Sequence, residues 1–125
     1  MRAPKTPDAT TISGLQAEVQ RFCEERAWDQ FHGAKDLAIG VVTEAAELLD
    51  HFRFLDDAQV AALLADAAKR EAVEDELADV LFFVLRFAQR FHVDLAAALG
   101  HKMQKNAAKY PVAKAKGKNA KYDEL

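Results

Sequence analysis

The stretch 40-GVVTEAAELLDHF-52 decides the fold. No proline interrupts it, and Val41, Val42, Ala45, Leu48 and Leu49 recur at the spacing of a helix face. Within that apolar setting stand Glu44 and Glu47, three residues apart, so both side chains point the same way. A second stretch, 71-EAVEDELADVLFFVL-85, repeats the arrangement. There Glu76 and Asp79 stand among Leu77, Val80, Leu81 and Phe83. Two long amphipathic helices, each with a carboxylate pair inside or beside its apolar face, predict an all-α protein built to hold charge near its core.

Outward from these helices the chain keeps helical spacing. Ile12, Leu15, Val19 and Phe22 line a first helix that starts near Thr11 or Ser13 and runs to about Trp28. Ser13 with Gln16 has the form of a capping box. The segment DQFHGAK (29–35) breaks the period and reads as a loop, with Asp36 the expected N-cap of the second helix, which runs to Phe52. Phe54 to Asp57 forms a turn, 58–65 a short helix, and Ala67 to Phe91 the longest helix. Asp94 caps a last long helix that ends near Tyr110, ahead of Pro111. The expected architecture is a four-helix bundle with one short extra helix. Residues 1–10, with Pro4 and Pro7 and no periodicity, read as a flexible lead-in, 11–111 as one domain, and 112–125 as a basic tail.

Bulk properties narrow the function classes. The chain has 125 residues, half of them hydrophobic, enough for one domain with a core. A net charge of −3 argues against general nucleic-acid affinity. Cys23 is the single cysteine, so no internal disulfide forms, and the chain reads as a reduced, cytoplasmic protein. The beginning, MRAPKTPDATT, has no apolar run of the kind a signal peptide needs, and no segment approaches the ~20 apolar residues of a membrane span. Between Lys102 and Lys121 there are seven lysines and no acid, a solvated tail or a basic strap for an anionic ligand. Lys102, Lys105 and Lys109 share one side of the last helix.

Facing carboxylates at low dielectric repel by an energy on the order of several kcal/mol, and a proton or a metal relieves them. Four oxygen donors with no His or Cys at ligand spacing suit Mg²⁺ or Mn²⁺ rather than Zn²⁺. A di-iron bundle calls for Glu-x-x-His twice, and the sequence has none. P-loop, GxGxxG and zinc-protease motifs are also absent.

The pattern Glu44-x-x-Glu47, 28 residues, then Glu76-x-x-Asp79 resembles the signature of MazG-like all-α nucleotide pyrophosphohydrolases. ERAWDQFHGAKDLAIGVVTEAAELLDHF, EDELADVLFFVL and KMQKNAAKYP are similar to the dCTP pyrophosphatase branch, whose members read ERDWxQFHxPKNL, EAAEL, EELxDVLxYL and KMxxNxxKYP. The resemblance spans residues 11–125. It implies a homodimer or homotetramer that cleaves nucleoside triphosphates between the α- and β-phosphates, with Mg²⁺ held by Glu44, Glu47, Glu76 and Asp79. One of these catalytic acids, not fully engaged by metal, could take the proton from the water; which one stays open, with Glu47 the first choice. The resemblance also implies that Trp28 stacks on the nucleobase with Phe31 and His32 in the same loop, that Lys35 lies near the phosphates, and that Lys102, Asn106, Lys109 and Tyr110 complete the substrate site. Phe54 stands where the branch has tryptophan, Phe83 where it has tyrosine, and Asp36 where it has asparagine, so base and sugar preference stay open. The substrate expected is dCTP or a related pyrimidine deoxynucleotide, hydrolysed to cleanse the nucleotide pool. A broader nucleoside triphosphate pyrophosphatase, or a non-catalytic helical interaction module, are the alternatives.

Overall fold

Chain segments rich in Ala, Leu, Glu and Lys favour helix, and aspartates at their starts fix where the helices begin. The computed structural model describes Asp8 and residues 10–125, so the lead-in expected over 1–10 lies, apart from Asp8 and Thr10, outside the described residues. The elements are α1 (Ile12–Glu25), α2 (Ala34–Asp50), α3 (Asp57–Ala65), α4 (Ala67–Arg90), α5 (Leu95–Lys109) and α6 (Val112–Ala115). Short 3-10 turns occupy Asp29–Phe31 and Tyr122–Glu124. No strand occurs among the described residues, and the all-α expectation holds.

Asp66 and Asp94 accept from the backbone N–H of Lys69 and Ala97 and so start α4 and α5. Asp56 and Gln59 form a reciprocal capping box on α3. Each such cap is worth about 1 kcal/mol. Two other caps differ from expectation. Thr11, not Ser13, caps α1: its hydroxyl accepts from Gly14 N–H at 3.0 Å and donates to the Asp8 carbonyl at 3.0 Å. The cap works because residue 14 is glycine, where a Cβ would lie 1.6 Å from the Asp8 carbonyl oxygen. In α2 the N-cap is Gly33, and Asp36 sits in the first turn, where its charge still favours the positive helix end.

The chain divides into two compact units, one ending at His92 and one spanning Val93–Leu125. In the first, α4 packs against α2, α1 and α3. Cys23, Leu37, Val73, Leu85 and Ala88 form its core, and Arg86 is wholly buried among them. The broad apolar faces expected around the acids are only partly used: Val42, Leu49, Leu77 and Leu81 are exposed. In the second unit the Tyr110 and Tyr122 rings meet edge-on at 6.2 Å, with the ammonium groups of Lys109 and Lys121 at 4.9 and 5.9 Å from the Tyr122 ring. The basic tail thus carries α6 and a 3-10 turn that the sequence pattern did not announce.

Candidate active site

Helical spacing places Glu44 and Glu47 one turn apart on α2, and Glu76 and Asp79 one turn apart on α4. Packing of α2 on α4 then brings Glu44, Glu47 and Glu76 together, each offering a carboxylate oxygen within 4.8 Å of the others. Asp79 is exposed and adds charge rather than an oxygen to that set. A proton shared with Glu47, then burial and the charges of Glu47, Asp79 and Glu76, push the Glu44 carboxyl up to about 7. Burial, then Glu47 and Asp79, raise Glu76 as well. His51, with Nε2 at 4.0 Å from Glu76, opposes that rise. One oxygen of Glu44 and one of Glu76 are buried with no hydrogen-bond partner. Buried polar oxygens of that kind are costly and call for a cation or a proton. Three carboxylates in such reach of one another are hard oxygen donors of the kind that divalent cations take.

The loop before α2 begins with a backbone device. The N–H of Ala27 donates to Glu24 O, and that of Trp28 to Cys23 O, closing the end of α1. Ala27 takes φ 54°, the left-handed position where glycine is usual. This turns the Trp28 ring onto Phe22, edge-on at 5.6 Å, and leaves about a third of the indole exposed. From there edge contacts continue: Phe22 to Phe82 at 6.1 Å, and Phe82 to Phe83 at 5.3 Å. Phe83 lies against Gly40, where a Cβ would come within 2.4 Å of its ring. Gly40 is one turn before Glu44, and Phe83 one turn after Asp79. An unbroken aromatic path therefore joins Trp28 to the helix turns that carry the acids. Beside its first half, Leu15, Glu18, Val19, Phe22, Ala78, Leu81, Phe82 and Leu85 line an open, mostly apolar groove of about 320 Å³.

Charge also holds the loop. Arg86 donates to His32 Nδ1 at 2.9 Å, to Gln89 Oε1 at 2.5 Å and to the Asp29 carboxylate. Arg90 donates to the backbone oxygens of His32 and Asp29 at 3.5 and 3.4 Å. The Arg86 hydrogen bond holds the Asp29 carboxyl below its usual range, while burial followed by the two guanidinium charges lowers His32. Sequence reasoning missed Asp29, Arg86 and Arg90. A signal was present: Arg86 and Arg90 lie one turn apart in FFVLRFAQRF, apolar but for them and Gln89, where a charge needs a buried partner.

The other expected residues fall in separate places. Phe31 is exposed in the 3-10 turn, and Lys35 is exposed in the first turn of α2. Phe54, just past α2, is 86% exposed, with the Arg53 guanidinium 5.0 Å from its ring. Lys102, Asn106, Lys109 and Tyr110 belong to the second unit, on α5 and its C-cap, with Asn106 half-buried and the others exposed.

Comparison with known proteins gives consistent relatives. The sequence model of the MazG-like family matches residues 39–125. The dCTP pyrophosphatase 1 of Rattus norvegicus is 37% identical over 119 residues, covering 95% of this chain and 68% of that protein. The Homo sapiens protein of the same name is 35% identical over 119 residues, with the same coverage of 95% and 68%. A crystal structure of a pyrophosphatase from Archaeoglobus fulgidus superposes with a TM-score of 0.76 at 28% identity, covering 88% of this chain and 99% of that one.

Proposed function

The chain belongs to the MazG-like family, and from that premise we propose that it is a Mg²⁺-dependent nucleoside triphosphate pyrophosphohydrolase acting on dCTP or a related pyrimidine deoxynucleotide. The observation that carries this reading is the pair of orphaned buried oxygens on Glu44 and Glu76, in a three-carboxylate set whose nearest basic side chain among the described residues is His51 at 4.0 Å. Such a set suits a hard divalent cation, Mg²⁺ first and Mn²⁺ second. Bound there, the ion would neutralise phosphate charge and acidify water. Glu44, Glu47 and Glu76, with Asp79 beside them, would hold it, and Glu47 is the most exposed of the three. Its exposure supports Glu47 as the group that takes the proton of the attacking water. The water oxygen bonds to the α-phosphorus, and the α–β bridging oxygen leaves with pyrophosphate.

Trp28 offers a face on which a base stacks, a contact worth about 1–3 kcal/mol. Lys35, in the first turn of α2, supplies charge for the phosphates. Exposed Val42, Leu49, Leu77 and Leu81 on α2 and α4 support a homodimer or homotetramer as the working form. No helix among the described residues is long and apolar enough to cross a membrane.

A panel of deoxy- and ribonucleoside triphosphates, with monophosphate and pyrophosphate both quantified, tests the reading. The expected products from dCTP are dCMP and pyrophosphate. Formation of dCDP and orthophosphate overturns the α-phosphorus assignment, and equal turnover of purine and pyrimidine triphosphates replaces the substrate by a broader class.

A further inference from the structure

The chemistry above leaves the network beneath the Trp28–His32 loop unused. Arg86 is the largest wholly buried side chain, and a guanidinium out of water needs its donors answered. Its Nε donates to His32 Nδ1 at 2.9 Å, and its terminal nitrogens to Gln89 and Asp29. Arginine Nε is only ever a donor. His32 Nδ1 must therefore accept, which leaves the ring proton on Nε2. Protonating the ring would set a second hydrogen on Nδ1 against the arginine N–H. It would also add a third positive charge beside Arg86 and Arg90 of α4, opposed only by Asp29 in the 3-10 turn and Asp36 in α2. Burial and the two guanidiniums favour the neutral ring on the same grounds. Nε2 has no hydrogen-bond partner among the described residues, and the ring stands 6.0 Å from that of Trp28.

We propose that Arg86 is a positioning residue for base recognition: its buried guanidinium locks His32 as the neutral Nε2–H tautomer, so the loop presents a one-way donor beside the Trp28 wall. A base edge that offers an acceptor, a ring carbonyl or an unprotonated ring nitrogen, is selected over one that offers only donors. This inference rests on the reading that the Trp28–His32 loop takes the nucleobase.

Nitrogen NMR of the full chain, labelled at histidine and free of nucleotide, reads the tautomer without reference to turnover. The chain has four histidines, and the spectrum of His32→Gln assigns the signal by its loss. The wild type should show a protonated Nε2 and a bare Nδ1, with titration below the ordinary 6.5. In Arg86→Met the two tautomers should mix and the titration move toward 6.5. KM for the preferred triphosphate should rise about five- to tenfold while kcat changes by less than about twofold, as expected for loss of an oriented hydrogen bond. Arg86→Lys, which keeps the charge but not the planar fork, should also mix the tautomers, with a smaller change in titration. Wild-type His32 with its proton on Nδ1, or charged at neutral pH, overturns the proposal even if neither variant folds. An Arg86→Met protein with unchanged tautomer and KM overturns it too. A wild type that releases no pyrophosphate from any triphosphate refutes the functional reading instead, and the apo spectrum still decides the lock.

Discussion

Two clusters of charge lie in the unit that ends at His92, and they are built on opposite plans. Between α2 and α4, Glu44, Glu47, Glu76 and Asp79 crowd together, and among the described residues His51 alone is near enough to offset them. Under the Trp28–His32 loop, Arg86 and Arg90 meet Asp29, His32, Gln89 and two backbone oxygens, and the wholly buried guanidinium is answered at each nitrogen. In the balanced cluster the buried guanidinium's charge and donors are satisfied within the chain. The unbalanced one keeps buried oxygens with no internal partner, the arrangement expected where a ligand completes the charge. Perturbing each should therefore fail in a different way.

The largest effect is expected at Glu47. Glu47→Gln keeps the shape, removes a negative charge and deletes the proposed base. Pyrophosphate release should fall by at least about a hundredfold. The metal-free variant should nevertheless melt higher than metal-free wild type, because a repulsive interaction is gone. Mg²⁺ should then raise the melting temperature of the variant less than that of wild type. Retained activity, with melting curves that coincide with and without Mg²⁺, would place these acids among ordinary surface groups and erase the contrast between the clusters.

Next in size is Trp28→Ala, which leaves both clusters in place and removes only the wall. The expected loss is about 1–3 kcal/mol, expressed as a higher KM with kcat nearly kept, since stacking serves ground state and transition state alike. Trp28 is the only tryptophan, so its emission in wild type should change as nucleotide binds. A folded variant with wild-type KM would make the indole a helix-end packing group.

Proton linkage separates the clusters by sign. Glu44 is raised from 4.5 to about 7, so between those values the folded chain binds more protons than the unfolded one. Its contribution to stability is present below 4.5 and is lost as pH rises through about 7. Asp29 and His32 are lowered, so the unfolded chain binds more protons in their windows. For Asp29, stability present above 3.8 is lost as pH falls through its lowered folded value. For His32, stability present above 6.5 is lost as pH falls from 6.5 through its own lowered value. Without divalent cation, Glu47→Gln should flatten the decline toward neutral pH and leave the acid limb. Arg86→Met should weaken the acid limb and leave the decline. If either variant altered the other's limb, the two clusters would be one coupled system.

Much of this could be read before the coordinates. The acids were legible because i, i+3 spacing in an apolar helix fixes their direction whatever surrounds them. The helices were legible from their apolar period, and Asp94 marked the start of α5; Asp56 and Asp66, which cap α3 and α4, were not singled out. Competing local bonds hid the rest. Thr11 beats Ser13 as cap because Asp8 orients its hydroxyl, a contact outside any capping pattern. Asp79 satisfies the spacing yet leaves the tight oxygen set, since which oxygens meet depends on how α2 seats on α4. Arg86 carries no helical-period signal of a partner. Its burial follows from the loop folding back over α4, a contact across more than fifty residues.

The smallest expected effect bears on how the loop keeps its order. Ala27 adopts φ 54°, a conformation that costs a residue with a Cβ roughly 1–2 kcal/mol. Ala27→Gly removes that strain but frees the unfolded chain, which returns about 0.4–1 kcal/mol. The net should be a stabilisation of about 0.5 kcal/mol, read as a small rise in denaturant midpoint at constant slope. The backbone bond from Trp28 N–H to Cys23 O needs no side chain at residue 27, and Arg86 and Arg90 grip the loop from the other end. KM should therefore stay at the wild-type value. Ala27→Val, with a branched Cβ in the same backbone, should lose stability and raise KM together. If Ala27→Gly instead raised KM, the stiffness of alanine at this turn, and not the charge network beneath it, would be what holds Trp28 ready for the base.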